Sequence, residues 1–166
     1  DEEGYLYWHI FSGIFYFEIG DINKAKEHYE YAAKRAQGLG MELYESYGYT
    51  NMAICLIHQG DFDRALRLLA GELERMQKFD SNRNDVQDQI NIININLGEV
   101  SIELRKFQDA ERYFTKALKI KQRNNNSYQH AICKISEIYY HQNKYQLALD
   151  NLETIITPES LQIQFK

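Results

Sequence analysis

The chain has 166 residues, 44% of them hydrophobic and 26% charged, with one proline, nine glycines, two cysteines and thirteen tyrosines. That apolar content excludes a disordered or low-complexity chain, and the length suits one folded unit of roughly 100–200 residues. The net charge is −5 and the basic residues alternate with acidic ones, so no basic stripe is available to hold a nucleic acid. No run of about 18 apolar residues occurs, and no basic segment followed by an apolar one opens the chain, so neither a membrane span nor a secretory leader is expected. Cys55 and Cys133 form no CxxC and lie in apolar periodic stretches, which reads as two reduced core thiols in a cytoplasmic protein. The chain begins at Asp1 and has no methionine before Met41, so we expect a domain of a longer protein.

With its only proline at position 158, the chain permits long helices over almost its whole length. From Tyr5 to Phe17 apolar residues crowd every position, as in a helix buried on several sides. After Gly20-Asp21, the residues Ile22, Ala25, Tyr29 and Ala32 recur at three- and four-residue steps. Glycine accepts the left-handed conformation that ends a helix, and aspartate caps the next one, which gives helix, turn, helix. The unit returns around Gly60-Asp61 with Phe62, Ala65 and Leu69. A third copy has Phe107, Ala110, Phe114 and Ala117, and a fourth has Asn143 followed by Tyr145, Ala148, Leu152 and Ile155. The alanines at 25, 65, 110 and 148 are spaced 40, 45 and 38 residues apart, a period that signals a solenoid. Polar connectors at Gln37 to Gly40, Asp80 to Asp85 and Arg123 to Ser127 separate the copies, and Pro158 marks the end of the recognisable array.

Gly13, Tyr16, Gly20, Ile22, Ala25, Tyr29 and Ala32 resemble the signature of the tetratricopeptide (TPR) family, as do Leu97-Gly98 with Phe107, Ala110, Phe114 and Ala117. Copy two departs from the signature with Leu56 and Glu72, and copy four with Ser136 and Ile155. The resemblance implies an all-α, right-handed α-solenoid of about four antiparallel helix hairpins in one domain. The repeats fall at about 5–38, 41–79, 85–123 and 127–157, with a tail or partial capping helix at 158–166.

The resemblance also implies a concave groove lined by the first helix of each pair. In this register its candidates are Tyr7, Ile14, Phe17, Tyr47, Asn51, Ile54, His58, Asn96, Glu99, Glu103, Glu137, Tyr140 and His141. Ile10, Thr50, Ile95 and Cys133 fall at groove positions of the same register. Copies one and two offer aliphatic and aromatic side chains, whereas Glu99, Glu103 and Glu137 gather in copies three and four. These carboxylates read either as a solvated helix face or as a receptor for a basic group whose apolar neighbour lies against Tyr7, Ile14, Phe17, Tyr47 and Ile54. Asn51, Asn94 and Asn96 read either as ordinary helix-surface residues or as hydrogen-bond partners for a peptide backbone. Glu99-x-x-x-Glu103 and Glu137-x-x-x-His141 have metal-ligand spacing, but di-metal bundles bring more ligands from four helices, so no metal is expected.

No catalytic residue and no cofactor site emerges. The repeat length resembles that of bacterial peptide receptors of the Rap and PlcR type and of MalT-like activators. This implies a non-catalytic peptide- or protein-binding module in a larger cytoplasmic regulator. The alternatives are a scaffold that joins two partners or a second copy of itself, or the regulatory part of a larger enzyme.

Overall fold

A computed structural model of the chain describes residues 1–79, 82–118 and 126–155. Pro158 and the expected capping tail at 158–166 lie outside the described residues, as do 80–81 and 119–125 in the second and third connectors. Among the described residues there are eight α-helices and no strand. In chain order they are α1 (Glu2–Glu18), α2 (Ile22–Leu39), α3 (Glu42–His58), α4 (Phe62–Met76), α5 (Asn84–Glu103), α6 (Phe107–Ala117), α7 (Asn126–His141) and α8 (Tyr145–Glu153). Each odd-numbered helix packs on the even one after it and on the even one before it, so the four hairpins form an all-α solenoid. First helices also touch first helices, α1 on α3, α3 on α5 and α5 on α7, whereas no second helix among the described residues touches the next second helix.

The four hairpin turns share one backbone. Gly20, Gly60, Arg105 and Asn143 all have positive φ, at 83°, 76°, 56° and 59°. At each turn two amides reach back to carbonyls of the helix just ended. Gly20 N donates to Phe17 O at 3.0 Å and Asp21 N to Tyr16 O at 2.9 Å, and the pattern recurs at Gly60, Arg105 and Asn143. This is the double capping that a left-handed residue permits at a helix C-terminus. In the first two hairpins an aspartate then caps the second helix: Asp21 accepts from Lys24 N at 3.2 Å and Asp61 from Arg64 N at 3.4 Å. Lys106 and Lys144 occupy those positions later, with no side-chain cap.

Small residues set the distance between the helices of a pair. A Cβ on Gly13 would stand 2.4 Å from the Tyr29 ring, and one on Gly98 would stand 2.6 Å from the Phe114 ring, so each aromatic lies directly on a helix backbone. Ala25, Ala65 and Ala110 are fully buried in the three core clusters that run along the stack.

The departure at Glu72 has a physical cause. Glu72 and Glu45 are buried on either side of Arg75, whose guanidinium meets Glu72 at 2.6 Å and Glu45 at 3.2 Å, while Gln37 donates to the second Glu45 oxygen at 3.2 Å. Burial holds the Glu45 carboxyl above its ordinary pKa, with Arg75 opposing. A second polar contact joins hairpins two and three: the buried Gln89 amide donates to Ser46 Oγ at 3.0 Å and to Thr50 Oγ1 at 2.9 Å.

Several expectations need correction. The helix expected from Tyr5 begins at Glu2, because the Asp1 carboxylate accepts from Gly4 N at 2.6 Å and caps it. The connectors are shorter than their composition suggests, since Gln37 to Leu39 still belong to α2, Asn84 opens α5 and Asn126 opens α7. Cys55 is core, its thiol pushed up to about 11 by burial, but Cys133 is exposed. Tyr145, the aromatic residue after the fourth turn, is exposed, its ring edge-on to Tyr140 at 5.5 Å.

Candidate functional site

Counting back from the left-handed turn residue puts the four first helices in a common register. On α1 the side chains at 7, 11, 14 and 18 share one strip, because three- and four-residue steps return to the same side of a helix. The strip continues as Tyr47, Asn51, Ile54 and His58 on α3, then Ile92, Asn96, Glu99 and Glu103 on α5. It ends with His130, Lys134, Glu137 and His141 on α7. Apart from the half-buried members and the nearly covered Asn96, these positions are open to solvent.

Aromatic rings dominate the first half of the strip. Tyr7 stacks on Phe11 at 5.9 Å and meets Tyr44 of α3 edge-on at 5.3 Å, and Tyr44 in turn meets Tyr47 at 6.0 Å. The Tyr44 hydroxyl donates to Glu3 at 2.6 Å, which ties this ring row to the start of α1. Phe17 is half-buried and lies edge-on to His58 at 4.6 Å, so it forms the seam between α1 and α3 beside the strip. Ile14 is exposed and Ile54 half-buried one helix further on.

Ionised groups dominate the second half, and they are interleaved rather than uniformly acidic. Glu99 accepts from His130 across the α5–α7 seam at 2.7 Å, and Lys134 donates to Glu137 at 3.1 Å, with His141 at 4.0 Å from the same carboxylate. Glu103 has no partner among the described residues. Beside His130, toward the start of α7, lies a cleft of about 380 Å³ lined by Ile92, Ile95, Asn96, Asn126 and His130. Tyr140 stands exposed at the far end, edge-on to His141 at 5.7 Å.

The asparagines spend their donors locally. Asn51 Nδ2 donates to Tyr47 O at 3.0 Å, Asn94 Nδ2 to Ile90 O at 2.8 Å and Asn96 Nδ2 to Ile92 O at 2.9 Å, each to the carbonyl one turn back. Asn51 and Asn96 lie on the strip, while Asn94 is buried off it. Among the described residues no group of three or more His, Cys, Asp and Glu side chains is placed to hold a metal ion.

The structure therefore brings Tyr7, Ile14, Tyr47, Asn51, Ile54, His58, Asn96, Glu99, Glu103, Glu137 and His141 onto one strip and sets Phe17 and Tyr140 at its margins. Ile10 and Thr50 are buried instead, Thr50 beneath the Gln89 amide of α5 in the next hairpin. Phe11 and Lys134 are strip members that sequence reasoning missed. The steps 7, 11, 14 and 18 held the signal, since they select the exposed rather than the half-packed side of the helix.

Eight antiparallel helices stacked as hairpins with four like turns define an α-solenoid. Residues 93–124 match the family model described as Tetratricopeptide repeat. Solved structures that share the fold include the following three. BtubC (BKLC) from P. vanneervenii aligns with a TM-score of 0.75 at 19% identity, over 93% of this chain and 63% of that one. The apo form of RapI aligns at 0.78 and 16%, over 93% of this chain and 42% of RapI. MamA aligns at 0.65 and 14%, over 96% of this chain and 81% of MamA. The chain thus spans less than two thirds of the length of BtubC and of RapI. No curated protein matches the chain by sequence. Residues 93–124 thus match a tetratricopeptide repeat, and the chain as a whole shares the α-solenoid fold of these structures. Among the described residues no helix is long and apolar enough to cross a membrane.

Proposed function

We propose that this array is the non-catalytic sensor or interaction domain of a larger cytoplasmic regulator, and that it binds a peptide or a partner's helix along the strip of its first helices. The observation that carries this reading is the strip itself. It is a continuous band across all four hairpins, aromatic and aliphatic over the first two and ionised over the last two. The contact pattern supports a groove there, because first helices touch their neighbours while second helices do not, and a stack drawn together on one side bends toward that side.

The ligand is an extended or helical segment whose apolar part lies on Tyr7, Phe11, Ile14 and Ile54 and whose basic part meets Glu103 and its neighbours. Charge of this kind fixes direction and register more than it adds affinity. Glu99 and Glu137 already have partners in His130 and Lys134, so Glu103 is the carboxylate most available to a ligand.

Calorimetric titration with short peptides carrying aliphatic residues at one end and arginine at the other tests the reading. Replacing Glu99, Glu103 and Glu137 together by glutamine should weaken binding by about tenfold, roughly 1.4 kcal/mol. Ile14→Asp should remove it, and the helical melting transition should stay nearly where it was in both variants. Equal affinity of the triple variant and the parent would overturn the directional groove.

A further inference from the structure

The seams between neighbouring first helices are closed in one place and open in another. Between α3 and α5 the Gln89 amide sits on Ser46 and Thr50, and Thr50 is buried beneath it. In the common register Ile95 of α5 is the counterpart of Thr50, yet it is only half-buried, and Ile92 one turn earlier is 41% exposed. Here the seam with α7 opens into the cleft of about 380 Å³ that Asn96, Asn126 and His130 complete. Its size falls at the lower end of pockets that take small molecules, and the two isoleucines give it an apolar wall.

One polar atom of that wall is unanswered. Asn96 is only 7% exposed, and its Nδ2 donates to Ile92 O at 2.9 Å. A carbonyl can meet only the nitrogen end of an amide, so this bond fixes which way the side chain is turned. Oδ1 is left without a partner among the described residues. The imidazole across the cleft is already engaged, since His130 Nε2 meets Glu99 at 2.7 Å over the seam. The cleft therefore combines an apolar wall, a flat ring at its edge and a nearly covered acceptor.

We propose that this cleft is a pocket for a tryptophan or tyrosine side chain of the bound segment, with the ring on Ile92 and Ile95 and its N–H or O–H donating to Asn96 Oδ1. As a pocket for a peptide side chain it rests on the groove reading above, and it names the residue class that the groove selects. Other side chains fit worse. Leucine or phenylalanine would cover Oδ1 without giving it a donor, which costs an unmade hydrogen bond in an enclosed place. Serine or asparagine would leave the isoleucines in water. A lysine ammonium would be set against two isoleucines while Glu99 is already held by His130. An aromatic ring with a donor at its tip supplies the apolar body and the hydrogen bond together, and such anchors carry much of the energy of an interface.

Indole is the probe, because it carries the ring and the N–H without any peptide. Titrated into the isotope-labelled 166-residue chain, it should shift the NMR signals of Ile92, Ile95, Asn96 and His130 and saturate in the low millimolar range. Benzofuran has the same shape and no N–H, and it should bind at least about fivefold more weakly. Asn96→Leu removes the acceptor and nearly keeps the volume. It should bring indole down to the affinity of benzofuran and leave benzofuran almost unchanged. Equal affinities of the two probes for the parent overturn the proposal without any variant, as do shifts confined to other parts of the chain. An Asn96→Leu chain of unchanged helicity that binds indole like the parent overturns it too. The aliphatic and arginine peptides of the groove titration carry no aromatic ring, so the two readings fail separately. Indole binding without peptide binding keeps the pocket and removes the groove ligand, and the reverse removes only the pocket.

Discussion

The α1–α2 and α5–α6 hairpins turn through the same left-handed backbone, but Gly20 occupies the turn in the first and Arg105 in the second. Asp21 caps the helix that follows in the first, and in the second Lys106 stands uncapping at the same place. The strip of first-helix side chains divides along the same line, with rings in α1 and α3 and hydrogen-bonded carboxylates in α5 and α7. The early half thus satisfies local rules residue by residue. The later half is held to the same geometry by packing, above all by Phe114 on Gly98 and by Ala110 in the core. A repeat array tolerates this because each hairpin needs only to match its neighbours' surfaces, not their sequences.

The largest effect should come from the buried ion triad between α3 and α4, inside the early half. Arg75→Met leaves Glu45 and Glu72 buried without their shared cation and should cost about 3–5 kcal/mol in urea denaturation, the range for removing one member of a buried ion pair. A loss below about 1 kcal/mol would mean that the triad is effectively solvated.

Ala25→Leu and Ala110→Leu should each cost about 1–3 kcal/mol by overpacking a fully buried contact, one in each half. Equal losses would show that the halves pack alike despite their turns, and a melt like the parent's for both would refute the repeat register.

The turns give a smaller and opposite pair. Gly20→Ala should lose about 1 kcal/mol, while Arg105→Gly should gain about 0.5–1 kcal/mol, because a residue with a Cβ is strained at positive φ and glycine is not. If Arg105→Gly does not raise the melting temperature, backbone strain is not what separates the two halves.

The smallest effect concerns pH and belongs to the first hairpin alone. His9 Nδ1 lies 3.1 Å from His28 Nδ1, with Tyr31 stacked on its ring and Tyr5 edge-on. Burial, and then His28, hold His9 below its ordinary pKa. A lowered folded pKa stabilises the fold above the unfolded value of about 6.5 and loses that contribution as pH falls through the lower folded one. The melting temperature should therefore drop on acidification below about pH 6.5, and His9→Gln should flatten that part of the profile. An unchanged profile in the variant would assign the acid sensitivity elsewhere.

Much of this was legible in the sequence because the repeat writes the same requirement four times. The alanines, the turn glycines and Asn143 could each be weak alone and still fix the register together. What stayed hidden depended on contacts between helices. Glu72 read only as a mismatch: Arg75 stands one turn on along the same helix, but only the packing of α3 on α4 brings Glu45 to the same guanidinium. The carboxylates of copies three and four looked like an unbroken acidic patch because His130 meets Glu99 only after α7 packs on α5, although Lys134, one turn before Glu137 on the same helix, was open to reading. The exposure of Cys133 was equally invisible, since its apolar neighbours are those of a core residue and only the packing of the last hairpin leaves it open.

The Gln89 amide, held by Ser46 and Thr50, acts as an address label. Helix hairpins built to one plan are interchangeable in principle, and an array of them could stack in the wrong order or join a neighbouring molecule's hairpin during folding. A buried donor that finds two hydroxyls only on hairpin two lets hairpin three recognise its proper predecessor. An array with its hairpins shuffled would keep its helices and its apolar seams but leave that amide unanswered, so the chain encodes the order of its repeats as well as their shape.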